Sequence, residues 1–265
     1  MPVPDPPQEP DVVVARLRAA GCVFAEDEAA LLVAEAGTTE QLDAMVAKRV
    51  AGHPLEQVLG WAEFCGLRVA VSPGVFVPRQ RTRLMVHEAV RLLEPAPGRP
   101  VVVDLCCGTG AVGLAVAAAR PDVELHACDV DPDAVRCARG NLGDSGRVYE
   151  GDLDEPLPPS LHGRVQVLLA NVPYVPTDEI ALMPAEARVH EHRVALDGGA
   201  DGLETLARVA ALAPRWLAPG GSVLCETGER QAPRAVAIFE GQGLAGRVAS
   251  RDEATVVVGT LPATR

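Results

Sequence analysis

VVVDLCCGTGAVG, residues 101–113, is the stretch that decides the predicted fold. Its first half, VVVDLC, is an apolar run typical of a buried strand, and the following AVGLAVAAAR is typical of a helix. Gly108 and Gly110 between them, together with Gly113 in the helix-like run, form the pattern G-x-G-x-x-G, in which glycines let the main chain approach a ligand and the helix N-terminus favours negative charge. Many α/β turns contain two glycines, so this pattern alone is a weak indication of a nucleotide-like ligand.

Strand-like and helix-like runs alternate from residue 100 to the C-terminus. The further strand-like runs are VELHACD, RVYEGD, VQVLLAN and GSVLCET. Such alternation predicts a mostly parallel sheet covered by helices on both faces. The last stretch, GRVASRDEATVVVGTLP, predicts two strands joined by a tight turn. We therefore predict an α/β fold whose mostly parallel, seven-stranded sheet has an antiparallel last strand.

The N-terminal part has a different pattern. Residues 1–10, MPVPDPPQEP, are proline-rich and acidic and predict a flexible tail, and three helix-like segments with capping residues follow. Residues 61–78 alternate between apolar and polar side chains around Gly66, which predicts a β-hairpin. We thus predict a small helical domain at 1–60, a β-hairpin linker at 61–84 and the main domain at 85–265.

Composition and charge disfavour several classes of function. The formal net charge is −12, so generic binding to nucleic acid or to an anionic membrane is not expected. No apolar run reaches the roughly 18 residues that a membrane span needs. The seven cysteines include no C-x-x-C pair, which predicts buried free thiols of a reducing compartment and no metal site. We expect a cytoplasmic protein.

Polar side chains lie at the ends of four successive strand-like runs: Asp104, Asp129, Asp152 and Asn171. Ligands of open α/β sheets bind beyond the carboxyl ends of the strands, so we expect these side chains to share one site. Asp104 suits a cationic ammonium group better than a pyrophosphate. Asp129 suits the two hydroxyls of a ribose, although it is also placed to cap the next helix. Asp131 is better placed for that cap.

Asp152 and Leu153 are further candidates at the end of the third strand-like run. Asp152 is placed to face the amino group of an adenine, with Leu153 packed on the ring. The alternative, a solvated acid in a loop, stays open.

The stretch ANVPYVPT, residues 170–177, is an unusually stiff exit from a strand. Asn171 Oδ1 and the main-chain carbonyl of Val172 can each accept a hydrogen of one NH₂ group, which points the nitrogen lone pair at a methyl donor. Pro173 fixes its own φ and restricts Val172, and Tyr174 can stack on a flat substrate group. The alternative is a proline-rich turn in which Asn171 bonds to its own backbone.

Together these motifs resemble the protein N5-glutamine methyltransferases of the HemK family. The similarity extends from Pro54 to the C-terminus. The matching segments are HPLEQVLGWAEFCGLRVAVSPGVFVPR, VVDLCCGTGAVGLAVA, CDVDPDAVRCARGN, ANVPY and LAPGGSVLCETG. ANVPY corresponds to an Asn-Pro-Pro-Tyr signature shared with enzymes that methylate adenine or guanine amino groups. The hairpin and the Pro-Arg at 78–79 are more particular to the HemK family.

The resemblance implies a Rossmann-like class I methyltransferase fold with S-adenosylmethionine as donor. It implies a protein acceptor with an exposed glutamine, usually the Gly-Gly-Gln of a peptide-chain release factor, with a ribosomal protein as another possible partner. The helical N-terminal domain would help to dock that acceptor, and we expect a monomer. The implied catalytic residues are Asn171, Val172, Pro173 and Tyr174. The implied donor-binding residues are Asp104, Cys106, Cys107, Gly108, Thr109, Gly110, Asp129, Val130, Asp152, Leu153 and Asn171, and the implied docking residues are Arg79 and Glu191.

Three departures from the family pattern bear on function. Val172 replaces the first proline of the signature. Cys106 and Cys107 stand where the family often has glycine and a small residue, and they would narrow the donor site. In PRQRTR, residues 78–83, Arg81 and Arg83 replace acids, which leaves the class of acceptor open.

Alternatives from other classes therefore remain. An RNA or DNA amino-methyltransferase shares the catalytic stretch, and the arginines of PRQRTR would then form a local phosphate patch. A small-molecule methyltransferase is favoured if the helical segment closes over the pocket. A non-catalytic binding protein is favoured if the cysteines block the donor site. Asp104 disfavours an NAD enzyme.

Overall fold

The structure is a computed structural model that describes residues 10–94 and 98–263. In the N-terminal part the elements are α1 (Pro10–Ala19), α2 (Ala25–Glu35), α3 (Thr39–Val50), α4 (Leu55–Leu59), β1 (Trp61–Phe64) and β2 (Leu67–Ala70). They are followed by α5 (Arg83–Leu93), β3 (Val101–Leu105), α6 (Ala111–Ala119), β4 (Glu124–Asp129), α7 (Pro132–Leu142), β5 (Gly146–Glu150) and β6 (Val165–Ala170). The last elements are α8 (Ala185–His190), α9 (Glu204–Trp216), β7 (Leu217–Glu226), α10 (Ala232–Gly241), β8 (Ala245–Arg251) and β9 (Ala254–Thr260).

Seven strands form one sheet in the order β5-β4-β3-β6-β7-β9-β8. The pairs from β5 to β7 are parallel, whereas β9 runs antiparallel to both β7 and β8. The predicted sheet, mostly parallel with an antiparallel last strand, is thus confirmed. Because β3 lies in the middle and all five of its residues are buried, the apolar run VVVDL has no polar face.

Two apolar clusters cover the two faces of this sheet. On one face α5, α6 and α7 pack on the strands through side chains such as Met85 and Leu142. On the other face α9 and α10 do so through side chains such as Leu206 and Phe239. A helix that is buried nearly all round needs little polarity, which explains the composition of AVGLAVAAA in α6.

The N-terminal helices α1–α4 have a separate apolar cluster, which includes Leu17, Leu32 and Val46. Helix α3 begins at its Thr cap, where the Thr38 hydroxyl accepts a hydrogen bond from the Gln41 main chain at 3.2 Å. The predicted flexible tail lies outside the described residues, except for Pro10, which begins α1.

The predicted β-hairpin is formed by β1 and β2 in antiparallel register. Cys65 and Gly66 occupy its two-residue turn with φ of 52° and 77°, as the twist of a tight hairpin requires. The predicted boundary between residues 84 and 85 falls inside α5, which begins at Arg83. The linker therefore ends before this helix. Helices α5 and α8 lie outside the predicted elements.

Two ion pairs of the buried Arg49 attach the N-terminal helices to the loop region beside the sheet. The Arg49 guanidinium donates to Glu28 Oε2 at 2.6 Å and to Glu186 Oε1 at 2.5 Å. Glu28 lies on α2, Arg49 on α3 and Glu186 on α8. Gln57 Nε2 adds hydrogen bonds to the carbonyl oxygens of Val75 and His190. The helical part is thus tied to the segment that carries α8.

Within the described ranges, none of the helices combines the length and apolar character needed to cross a membrane.

We expect Arg49→Ala to lower the free energy of unfolding by about 3–5 kcal/mol, because it leaves Glu28 buried without a cation. Both side chains of this pair are 10% exposed. Urea unfolding followed by circular dichroism measures the change. The matched control is Arg18→Ala, since Arg18 and its partner Glu26 are 64% and 56% exposed. It should cost less than about 1 kcal/mol, and equal losses for the two variants would contradict the role of Arg49.

Candidate active site

One cavity of about 260 Å³ opens at the carboxyl ends of β3, β4 and β6. The strands supply its polar groups because parallel pairing places those ends at one edge of the sheet. Of the predicted site residues, its wall contains Arg79, Asp104, Cys106, Cys107, Gly108, Thr109, Asp129, Val130, Asp152, Leu153, Asn171, Val172, Pro173 and Tyr174. Gly110 and Glu191 are absent from this wall.

The glycines after β3 serve two different purposes. Gly108 lies in the cavity wall with φ of 55°, and the space around it is open. A Cβ on Gly110 would come within 2.3 Å of the Leu142 side chain, and one on Gly113 within 3.0 Å of Asp104 Oδ2. Gly110 is therefore needed for close packing of α6 on α7, and its assignment to the donor site stays a prediction.

Asp104 at the end of β3 is nearly fully buried, with 1% of its surface exposed. Its Oδ2 accepts a hydrogen bond from the Gly113 main chain at 2.9 Å. Burial raises the pKa of Asp104 to about 7, and the nearby charge of Asp129 acts in the same direction. A cation entering the cavity beside Asp104 would favour its ionised form.

Asp129 at the end of β4 holds the glycine loop from the other side. Its carboxylate accepts hydrogen bonds from the main chains of Gly108 at 2.8 Å and Asp131 at 2.9 Å. Burial raises the pKa of Asp129. Asp131 is the helix cap, since its side chain accepts from the Asp133 main chain at 2.9 Å. Asp129 is thus left facing the cavity.

Asp152 and Leu153 lie next to each other in the wall beyond β5. Leu153 has a φ of 48° and is 6% exposed. Asp152 accepts a hydrogen bond from Arg208 at 2.7 Å, and Arg208 also lines the cavity. This ion pair, which the sequence analysis did not predict, competes with the expected contact between Asp152 and an adenine. Arg208 lies on α9, and no local motif marks it.

Cys106 and Cys107 line the donor side of the cavity without filling it. Cys106 has a φ of 53°, a left-handed conformation that a glycine would adopt at lower cost. Burial raises the pKa of both thiols. They therefore act as small, uncharged parts of the wall.

The exit from β6 places Asn171 and Tyr174 in the cavity wall. The Val172 side chain packs in the core and is 2% exposed, and the residue also lines the cavity. The loop before α9 presses on this bend. A Cβ on Gly198 would lie 2.7 Å from the Pro173 carbonyl oxygen, and one on Gly202 would lie 2.3 Å from that of Tyr174. The stiffness predicted from the prolines is thus reinforced by a neighbouring loop.

Two charged side chains meet the Tyr174 hydroxyl. It donates to Glu226 Oε1 at 2.9 Å and accepts from Arg81 Nη2 at 2.6 Å. Arg81 lines the cavity, whereas Glu226 is the buried last residue of β7. Glu226 is a functional candidate that the sequence analysis missed, although an acid ends its strand as Asp129 ends β4.

Arg79 and Glu191 form an ion pair at the edge of the cavity. Arg79 Nη2 donates to both Glu191 oxygens at 2.7 and 2.8 Å, and the Val77 main chain donates to Oε1 at 3.0 Å. The Glu191 side chain is 0% exposed and that of Arg79 is 31% exposed. Because Glu191 is buried and paired with Arg79, a docking role for Glu191, which stays a prediction, would act through Arg79.

One group of side chains, Asp131, Asp133 and His192, has atoms close enough together to share a metal ion. Asp131 Oδ2 already shares a hydrogen bond with His192 Nδ1 at 2.6 Å, and Asp133 forms an ion pair with Arg136. These contacts account for the group, and we assign it no metal.

None of the described residues 10–60 lines the cavity. The helical segment thus does not close over the pocket, which was the condition favouring a small-molecule acceptor.

Comparison with known proteins identifies the family. Residues 67–202 match the family described as Methyltransferase small domain. Release factor glutamine methyltransferase from Geobacter sulfurreducens is 35% identical over 211 residues, which cover 78% of this chain and 72% of that protein. The chain belongs to the release factor glutamine methyltransferase family. The resemblance to the HemK family is confirmed, and S-adenosylmethionine is the donor used in this family.

Other relatives add to this picture. A 4-amino-L-phenylalanine/4-methylamino-L-phenylalanine methyltransferase from Streptomyces pristinaespiralis is 34% identical, with the same 78% and 72% coverage. Among solved structures, a methyltransferase from Pyrococcus furiosus has a TM-score of 0.56 at 16% identity, covering 83% of this chain and 98% of that chain. That likeness concerns the fold alone and agrees with the predicted class I methyltransferase fold.

The cavity of this family member fits the donor. Its wall contains the carboxyl groups of Asp104 and Asp129 and the apolar side chain of Leu153, which are groups of the kind that an ammonium group, hydroxyls and an adenine ring would contact. Gly108 leaves the space beside the loop open. The two cysteines narrow this space, and the cavity persists beside them.

We expect the affinity for S-adenosylmethionine to fall as the pH drops below 7, because the Asp104 pKa is raised to about 7 and its proton must leave before an ammonium group binds. The limiting slope is about tenfold per pH unit. Calorimetry below the donor's own amino pKa of about 7.7–8.0 measures the effect. The control is Asp104→Asn, which should bind more weakly and lose most of the slope. An unchanged slope in that variant would assign the titration to another group.

Proposed function

We propose that this protein transfers the methyl group of S-adenosylmethionine to the side-chain amide nitrogen of a glutamine in a protein acceptor. The acceptor is the Gly-Gly-Gln segment of a peptide-chain release factor. The observation that carries this proposal is the position of Asn171. It lies in the same cavity wall as the donor-side acids and beside Tyr174, in a chain that belongs to the release factor glutamine methyltransferase family.

The donor side has a defined set of roles. Asp104 takes the ammonium group, Asp129 the ribose hydroxyls, and Leu153 packs on the adenine. When bound, the donor supplies an activated methyl group on a sulfonium. Cys106 and the main chain at Gly108 confine it between β3 and β4. Asp152 orients Arg208 and reaches the adenine only at the expense of that ion pair.

The acceptor side works by positioning. An amide nitrogen is a weak nucleophile because its lone pair is delocalised into the carbonyl. Asn171 Oδ1 and the Val172 carbonyl hold the two N–H hydrogens, while Tyr174 supports the flat amide. Correct placement of two reactants is worth up to roughly 7–11 kcal/mol. As the nitrogen accepts the methyl group, the bond between the methyl carbon and sulfur breaks, and its electron pair stays on sulfur in the product S-adenosylhomocysteine. The nitrogen becomes cationic in this step, so both hydrogen bonds strengthen in the transition state. The proton then leaves to water.

The surroundings of the cavity suit a protein acceptor. Leu182, Val189 and Val194 are exposed by 83%, 61% and 51% in the segment that borders the cavity. Arg79, held by Glu191, offers its exposed part to the same side. The N-terminal helices, tied to α8 through Arg49, extend this surface. With a release factor as acceptor, the proposed location of the reaction is the cytoplasm. The proposed oligomeric state is a monomer, since residues of a single chain line the cavity.

A second candidate acceptor is a small aromatic amine. It is favoured by the Streptomyces pristinaespiralis relative, whose name specifies 4-amino-L-phenylalanine and 4-methylamino-L-phenylalanine. Such an amine also presents an NH₂ group on a flat body to Asn171 and Tyr174. A ribosomal protein with an exposed glutamine would be a protein acceptor like the release factor, methylated on the same side-chain amide.

Labelled-methyl transfer to a release factor tests the proposal. We expect one methyl group on the glutamine of its Gly-Gly-Gln segment, located by mass spectrometry, and none after substitution of that glutamine by asparagine. Transfer to 4-amino-L-phenylalanine but not to the release factor would instead establish the second candidate.

Asn171→Ala should lower the methyl-transfer rate by about 10²-fold or more, the range for removing one preorganised hydrogen-bonding group. Donor affinity, measured by calorimetry, should fall only modestly because Asp104 and Asp129 remain. A wild-type rate in Asn171→Ala would remove Asn171 from catalysis.

A further inference from the structure

Three side chains form a closed triangle at the acceptor end of the cavity. Arg81 Nε donates to Glu226 Oε1 at 3.0 Å, and Arg81 Nη2 donates to the Tyr174 hydroxyl at 2.6 Å. The hydroxyl in turn donates to the same Glu226 oxygen at 2.9 Å. The planar guanidinium is suited to such a pair of contacts because its N–H groups point in fixed directions. The far end of the Tyr174 ring is thereby held in place.

The triangle is built on the strands that carry the catalytic bend. Ala170 of β6 pairs with Cys225 of β7. Asn171 directly follows β6, and Glu226, which follows Cys225, is the last residue of the adjacent strand β7. The Glu226 side chain is 3% exposed, while that of Arg81 is 46% exposed at the cavity. A rigid, buried carboxylate beside Asn171 is thus linked to the Tyr174 ring on the cavity surface.

Glu226 depends on Arg81 for its charge compensation. Its Oε2 is buried and has no hydrogen-bond partner among the described residues. The hydroxyl of Thr82, the residue after Arg81, is likewise buried and without a hydrogen-bond partner there. Arg81 is the cation paired with this carboxylate. Removing one partner of a buried pair leaves the other uncompensated, which is costly.

Arg81 is also a departure from the acidic Pro-Arg-Pro-Glu-Thr-Glu pattern of the family. A carboxylate at position 81 would have no proton to donate to Tyr174 and would repel Glu226. The triangle is therefore specific to chains with an arginine here. The second departure, Arg83, pairs instead with Glu63 at 3.0 Å, and both side chains are about half exposed at 48% and 51%.

We propose that Arg81 and Glu226 are positioning residues that fix Tyr174 against the acceptor amide, so that the arginine at position 81 sets the shape of the acceptor site in this protein. The proposal rests on the proposed function, because Tyr174 is assigned there to support the flat amide. Arg81 and Glu226 act through Tyr174 and do not exchange protons with the substrate.

Steady-state methyl transfer to the release factor tests the proposal first. Arg81→Glu, which restores the family's acid, should lower kcat by up to about 10²-fold, the scale for a small misplacement of reacting groups. The KM for the acceptor and the donor affinity should change much less. The matched control is Arg83→Glu, which restores the second acid outside the cavity and should keep the wild-type kcat. Equal effects of the two variants, or a wild-type kcat in Arg81→Glu, would overturn the proposal.

A pair of milder variants keeps the test decisive if Arg81→Glu fails to fold. Tyr174→Phe and Glu226→Gln should each lower kcat, and the double variant should be no slower than the slower single variant, since both act at one hydroxyl. Additive losses in kcat would overturn the proposal.

Thermal unfolding of the same variants needs no acceptor. The double variant should lose less in Tm than the sum of the losses of the two single variants, because both substitutions break the same contact. The expected difference is about 2–4 °C. Coupling in unfolding without methyl transfer by the wild type would refute the proposed function and leave the triangle intact. Transfer by the wild type without coupling would refute the triangle alone.

Discussion

Parallel pairing of β3, β4 and β6 is the constraint on which the rest of the site depends. Parallel strands end at the same edge of a sheet, so residues far apart in sequence become neighbours there. Asp104, Asp129 and Asn171 meet around one cavity for this reason. The same edge is where helices begin, and the main-chain N–H of Gly113 on α6 donates a hydrogen bond to Asp104. Donor recognition and acceptor recognition are thus consequences of one topology.

Buried ion pairs connect the parts that surround this edge. Arg49 joins α2 and α3 to α8, Arg79 joins the segment after the hairpin to Glu191, and Arg81 joins the turn before α5 to β7. Glu28, Glu191 and Glu226 are buried acids, whereas Glu186 on α8 is 45% exposed. Such pairs are poor sources of net stability, but loss of one partner is costly. They are therefore suited to hold elements in one relative position, as methyl transfer by positioning requires.

The prediction of the fold from sequence succeeded where a pattern had a local physical cause. The apolar run of β3 and the two-residue turn at Cys65 and Gly66 are such cases. Helix α5 was not predicted, although its apolar residues recur at helical spacing on a face that packs on the sheet. The predicted domain boundary between residues 84 and 85 lies inside this helix. Gly110 was assigned to the ligand because the motif does not show that Leu142 lies against it.

The sequence by itself determined the strands of the sheet, the acids at the strand ends, and the stiff Asn171–Tyr174 exit, because each of these depends on neighbouring residues. Only the tertiary structure decided which charged groups meet. It buried Glu191 under Arg79, paired Asp152 with Arg208, and joined Arg81 to Tyr174 and Glu226. These contacts link residues from 56 to 145 positions apart, and no local pattern records which side chains the packing of distant elements brings together.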